Sequence, residues 1–209
     1  RYNSEALKKI RAELGELVWA GLYQQRPTLS EGGLIKREWL THWDTLPEKF
    51  DDVIQSWDLS VKGGEDNDFV AGHVWGRKDE KKYLIDFFHG KRGFTDTVPE
   101  IVKMRRKFPN APIYIEDKAN GPPVIETLKR EFQFDGVIPI NPTSSKHLRM
   151  VGHSHQIRAG DIMLPPMDID GVEYIREEMV NFGNWPNDDH IDAMTQALDQ
   201  FREPELIFF

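Results

Sequence analysis

Cysteine is absent from the 209 residues, which excludes disulfides, thiolate metal sites and a cysteine nucleophile, and suits a reducing compartment. No apolar run approaches the length that spans a bilayer, and the first residues carry no charged-then-apolar leader, so a soluble, unsecreted chain is expected. An excess of basic residues is missing too. The net charge of −8 argues against broad attraction to a polyanion and leaves only a local basic groove for that purpose. There is no internal repeat and no low-complexity tract. What is present is a hydrophobic fraction of 39%, enough at this length for one domain with a real core and a short appendage. A start at Arg1 instead of Met reads as a fragment of something longer.

Residues 4–20 set Leu7, Ile10, Leu14, Leu17 and Val18 at helical spacing, which predicts an amphipathic helix. Residues 21–50 mix Pro27, Gly32, Gly33 and Pro47 with Trp39 and Trp43, as an irregular arm laid over a surface would. Three strands are predicted next, VIQSWDLS, DFVAGHVWG and KYLIDFFHG, separated by the polar segments GGEDN and RKDEKK that suit hairpin turns. Helix and strand then alternate. A helix over 95–108 opens at Thr95 or Thr97, a strand covers 111–117, and a helix over 121–132 has Pro122 and Pro123 in its first turn. A strand over 136–140, a helix over 144–160, a small strand at DIMLPP and helices near 168–182 and 188–201 complete the series. Three antiparallel strands followed by parallel strands with crossover helices give an α/β mixed sheet with helices on both faces, which is the order of the ribonuclease H-like fold.

Acidic residues stand out within that order. Asp58 is expected in the middle of the first strand, where aspartate is depleted and costly to bury without a partner. Glu116 ends the strand IYIE at the carboxyl edge, where open α/β sheets place their sites. Asp188, Asp189 and Asp192 crowd the start of the last helix, and like charges make each other harder to ionise unless a cation joins them. Each group alone has a plainer explanation: an ordinary strand-end residue, a solvated Glu116-Asp117-Lys118 trio, a helix cap from Asn187 or Asp188. Together, in this order and spacing, they suit oxygen-only ligation of Mg²⁺ or Mn²⁺. On a helical wheel Ile191, Met194, Leu198 and Phe201 form the buried face, with Asp188 and Asp192 at its margin and Asp189 nearly opposite.

Candidate phosphate contacts are Lys146, His147 and Arg149, with Arg105, Arg106, Lys107 and Lys118 as secondary candidates. The same residues read equally well as a solvated basic face. His153 and His155 lie two apart, a spacing that a helix does not bring together.

Three strings carry a family resemblance. SWDLS with DNDFVAGHVWG, IYIEDKANGPPVIETL, and NDDHIDAMTQAL resemble the acidic motifs of the nuclease domain of the large terminase subunit of tailed double-stranded DNA bacteriophages. LYQQRP, the Gly-rich segment after it and Trp39 resemble the junction that follows that family's ATPase domain. The resemblance implies a divalent-metal-dependent endonuclease that cuts double-stranded DNA during genome packaging. It implies catalytic Asp58, Glu116 and Asp189, with Asp188 and Asp192 as further ligands of two Mg²⁺ or Mn²⁺ ions. Lys146, Arg149 and Lys118 are expected on DNA from their charge. The resemblance further implies residues 1–50 as linker helix and arm and 51–209 as the nuclease domain. A portal ring and a small terminase subunit would be partners in the host cytoplasm, with no membrane involved. No GxxxxGK[ST] phosphate loop occurs, so this chain is not expected to bind ATP by that route.

Other readings make distinct predictions. A junction resolvase, transposase or ribonuclease H would use a similar acid set on a different nucleic acid. A non-catalytic module docking on DNA or a portal would bind no metal at the acids. A metal-free acid–base hydrolase built on Asp58 and Glu116 would ignore a chelator.

Overall fold

The structure, a computed structural model, describes residues 33–59 and 69–201. The expected helix over 4–20, the LYQQRP junction and the GGEDN turn lie outside the described residues. The strands are β1 (Thr41–His42), β2 (Asp52–Asp58), β3 (Phe69–Lys78), β4 (Lys81–Lys91), β5 (Ile113–Glu116), β6 (Val137–Ile140) and β7 (Ile162–Leu164). The helices are α1 (Phe94–Lys107), α2 (Gly121–Arg130), α3 (Lys146–Ala159), α4 (Val172–Val180) and α5 (Asp189–Gln200). One sheet runs in the order β1-β7-β4-β3-β2-β5-β6. The β2–β3 and β3–β4 pairs are antiparallel and every other pair is parallel, as the ribonuclease H-like order requires.

Strand alternation sorts the side chains onto two cores. Ile54, Trp75 and Leu84 face one side and pack with Met150 and Ile157 of α3, Ile175 and Met179 of α4, and Ile191, Met194 and Leu198 of α5. Trp57, Val74, Ile113 and Ile115 face the other and pack with Ile101 of α1 and Val124 and Leu128 of α2. Each fully buried Ile or Leu contributes roughly 1.5–3 kcal/mol, so both faces are firmly held. Trp57 is fully buried opposite Gly72, where a Cβ would come within 2.5 Å of its ring. Glycine is required there by space.

Several details differ from expectation. Asp58 is the last residue of β2, not its centre, because its pairing with β3 stops there. The arm contributes a seventh strand, β1, which adds in parallel to β7 and is followed by Trp43, whose indole donates to Leu84 O at 2.9 Å. Two paired residues are too few to leave a periodic signal. Gly93, not Thr95 or Thr97, is the N-cap of α1. The helix expected over 168–182 is confined to Val172–Val180 and opens at Gly171, whose φ is 87°. On the far edge, β6 turns its Ile138 and Ile140 carbonyls toward β5, as the Asp117 N–H to Ile140 O bond at 2.8 Å shows, so Pro139 occupies an outward-facing position. Among the described residues no helix is long and apolar enough to cross a membrane.

Candidate functional site

Sheet parity aims the two strand acids at the same helix. Ile54, Ser56 and Asp58 alternate on the face that packs against α5, and Tyr114 and Glu116 share it. Because β2 and β5 are parallel, with Trp57 beside Ile115, Asp58 and Glu116 end adjacent strands at the carboxyl edge. Beyond β5 the chain turns sharply through Ala119, at φ 50°, into α2. A Cβ on Gly121 would lie 1.8 Å from the Glu116 carbonyl oxygen, so the first turn of α2 rests directly on the backbone of the acid.

A cavity of about 310 Å³ opens at this edge, lined by Asp58, Glu116 and Asp192 together with Lys118, Lys146 and Arg149. Acids and bases face each other across it. Lys146 places its ammonium 2.6 Å from Asp188 and 2.6 Å from Asp192. Burial alone would lower the Lys146 ammonium, but its hydrogen bonds to the two carboxylates outweigh burial and push it up to about 12. Arg149 is buried and fully engaged. Its Nη2 donates to Asp192 at 2.6 Å, Nε to Thr195 Oγ1 at 3.1 Å, and Nη1 to Ser144 O at 2.9 Å. Burial pushes the Asp192 carboxyl up while Lys146 and Arg149 draw it back. Glu116 accepts from Gln196 Nε2 at 3.2 Å on one oxygen and meets Lys118 at 2.9 Å on the other. Asp192 and Gln196 are one helical turn apart, so a single face of α5 serves both sides of the cavity.

Behind the acids a buried polar chain ties α5 to the sheet. Trp75 can only donate, so its 3.2 Å bond to His73 Nδ1 leaves the His73 proton on Nε2. That proton points at His190 Nδ1, 2.8 Å away, which in turn puts the His190 proton on Nε2. Burial, with His89 adding to it, lowers His73 to about 3, and burial with the neighbouring rings lowers His190 well below its ordinary value, so both rings are neutral. Glu178 of α4 accepts from Ile191 N–H at 2.8 Å and thereby caps α5 from another helix. Burial pushes its carboxyl up to about 8.

The expected site residues fall into three groups. Asp58, Glu116 and Asp192 meet at one cavity. Asp188 occupies the N-cap position of α5 but its side chain makes no cap bond; it goes to Lys146. Asp189 is buried at 3% exposure and is not among the residues lining that cavity. The wheel misplaced it because α5 is enclosed on almost every side, by β2, β3, α3 and α4, and has no solvated face at its start. Among the basic residues, Lys146, Arg149 and Lys118 do border the site, and all three are paired to its acids. Arg105 lies elsewhere: it donates to Ala111 O and Asp135 O, which precede β5 and β6 at the opposite edge of the sheet, while Lys107 pairs with Asp86. His153 pairs with Asp199. Gln196, Glu178 and the His73–His190 pair are contacts that sequence spacing does not reveal. The only trace of them in the sequence is the alternation of His73 with Trp75 on one strand face.

The donor set fits a hard divalent cation, since it is made of carboxylate oxygens alone. Among the described residues no three acidic or histidine side chains stand close enough to hold a metal as they are. Lys146 and Arg149 are paired with Asp192 there, and Lys118 with Glu116.

Comparison with known proteins bears on the family and the fold. The family model of the terminase RNaseH-like domain matches residues 55–201. No curated protein matches the chain. Among solved structures, the large terminase of a thermophilic bacteriophage superposes with a TM-score of 0.62 at 12% identity, over 96% of this chain and 53% of that one. The large terminase nuclease of thermophilic phage G20c with bound magnesium superposes with a TM-score of 0.57 at 14% identity, over 82% of this chain and 98% of that one. The G20c nuclease with bound cobalt gives a TM-score of 0.59 at 12% identity, over 82% and 98%. The chain thus spans about half the length of the first of these, the large terminase. The family match runs from the middle of β2 to the end of α5, over more than half of the residues, and the chain belongs to the terminase RNaseH-like domain family.

Proposed function

We propose that this chain is a divalent-metal-dependent endonuclease that cuts double-stranded DNA during viral genome packaging, as the nuclease part of a terminase large subunit. The observation that carries the reading is the meeting of Asp58, Glu116 and Asp192 at one cavity on the carboxyl edge of the sheet. When bound, a pair of Mg²⁺ or Mn²⁺ ions supplies Lewis acidity to the phosphodiester and to the water that attacks it. Asp58, Glu116 and Asp192 would hold the ions, with Glu116 oriented by Gln196 and with Asp189 and Asp188 at the start of the same helix supporting Asp192. Lys146 and Lys118, set free from the carboxylates, face the phosphate that arrives. In this reading residues 1–50 join the nuclease to an ATPase domain, and the portal ring and small terminase subunit are its partners in the host cytoplasm.

Asp58→Asn tests it. The variant should keep the fold and lose metal-dependent nicking of plasmid DNA, because one oxygen ligand becomes an amide. Nicking by the variant at the wild-type rate in Mg²⁺ or Mn²⁺ would remove Asp58 from the site. Parallel assays on linear duplex, four-way junction and RNA–DNA hybrid separate this nuclease from its ribonuclease H-like relatives.

A further inference from the structure

Beside the acidic cavity lies a second one of about 390 Å³ that the proposed chemistry does not use. The loop after β6, at Asn141 to Ser144, forms one wall, and Gln196, Asp199 and Gln200 of α5 form the other. Pro142 and Ser144 border both cavities, so the two share a wall. The position is the carboxyl end of a parallel strand, the edge at which such sheets bind ligands. Its volume lies within the range of small-molecule sites, roughly 300–1,000 Å³.

Gln196 links the two spaces. Its amide nitrogen donates to Glu116 on the acidic side, and the same side chain lines the second cavity. With the nitrogen committed to a carboxylate, the orientation of the amide is fixed and the carbonyl is turned away from Glu116. Among the described residues that carbonyl oxygen has no hydrogen-bond partner, although the residue is only 1% exposed. A buried acceptor left unmet is costly, so the Gln196 amide is held in this orientation by its bond to Glu116.

The wall chemistry narrows what fits. Among the described residues no lysine or arginine lines this cavity, and its one acid, Asp199, meets His153 at 3.0 Å. A phosphate would find no cation on these walls. They offer instead the amides of Asn141 and Gln200 and the hydroxyls of Thr143 and Ser144, neutral donors and acceptors of the kind that meet base edges and sugars. We propose that the second cavity is a nucleoside subsite, which receives the sugar and base adjoining the phosphate held at Asp58, Glu116 and Asp192. The placement next to a scissile phosphate rests on the nuclease reading; the affinity for a nucleoside does not.

Two measurements test it. Side-chain amide resonances of Asn141 and Gln200 are followed during titration of the metal-free chain with thymidine 5′-monophosphate and, separately, with inorganic phosphate. The nucleotide should shift both amides saturably and phosphate should leave them in place. Equal shifts with phosphate, or no shift with either probe, would overturn the subsite. In the second measurement, nicks made in plasmid DNA by wild type, Asn141→Ala and Gln200→Ala are mapped by end sequencing. Each substitution should lower kcat/KM by about tenfold at most, the worth of one neutral hydrogen bond, and should change the base bias at one position beside the nick. An unaltered bias in both variants would overturn the assignment. Nucleotide-induced shifts without any metal-dependent nicking would retire the nuclease reading and leave a nucleotide site, whereas nicking without those shifts would retire the subsite.

Discussion

The ammonium of Lys146 lies 2.6 Å from the Asp192 carboxylate, on the cavity that Asp58 and Glu116 also line. A positive side chain here both relieves repulsion between Asp188 and Asp192 and competes with any metal. Lys146→Gln should therefore bind Mn²⁺ severalfold more tightly than wild type while melting at a lower temperature in chelator. Calorimetric titration and thermal scans with and without metal check the two effects. Unchanged Mn²⁺ affinity would mean that Lys146 and the ion do not contend for the same oxygens.

Arg149 behaves differently because it is buried and makes three hydrogen bonds. Removing it leaves the largely buried Asp192 without its guanidinium partner. Arg149→Ala should cost about 3–5 kcal/mol of stability, measured by urea unfolding, and Arg149→Lys should restore little of it because an ammonium cannot span the three acceptors. A phosphate contact, by contrast, would leave stability alone and reduce the salt dependence of DNA cleavage. The two roles are thus separable in one pair of variants.

Gly121 is fixed by space, since a Cβ there would press 1.8 Å from the Glu116 carbonyl oxygen. Gly121→Ala forces the first turn of α2 away from the acid. Destabilisation of about 1–3 kcal/mol or more is expected from the overpacking, together with weaker Mn²⁺ binding as Glu116 shifts. Thermal unfolding and metal titration report the two effects. A variant with wild-type values in both would show that the loop yields without moving Glu116.

Glu178 gives the fold a pH dependence of definite sign. The folded protein holds the Glu178 proton up to about pH 8, whereas the free carboxyl releases it near 4.5. Between those values the folded state binds more protons, so the contribution is full below about pH 4.5 and falls as pH rises toward 8. Glu178→Gln stays neutral throughout. Its stability relative to wild type should rise across that window, by a few kcal/mol at the upper end, in melting curves recorded at each pH. A difference that stays constant with pH would show that Glu178 is ionised in the fold.

The sheet was legible because its strands alternate cleanly and its helices carry ordinary stop signals, and Glu116 could be placed at the carboxyl edge from the short run IYIE alone. The rarity of aspartate in strands singles out Asp58, although the residue ends its strand instead of sitting mid-strand. The last helix was harder. A wheel assumes one wet face, and α5 has none at its start, so the relative placing of Asp189 and Asp192 could not be read from spacing. The pairing of Lys146 and Arg149 with acids more than forty residues away, and the contact of Gln196 with Glu116, are tertiary facts with no local signature. Exposed cations and buried ones look alike in a sequence.

Pro139 has a bearing on how this chain coexists with copies of itself. At its outward-facing position on β6 it offers no N–H to the open edge, and it costs the β5 ladder nothing because the neighbouring Ile138 and Ile140 carry those bonds. The opposite border ends in β1, a strand of two residues. Among the described residues both borders are therefore poor templates for a further strand, which leaves crowded copies little hydrogen-bonding rail along which to polymerise.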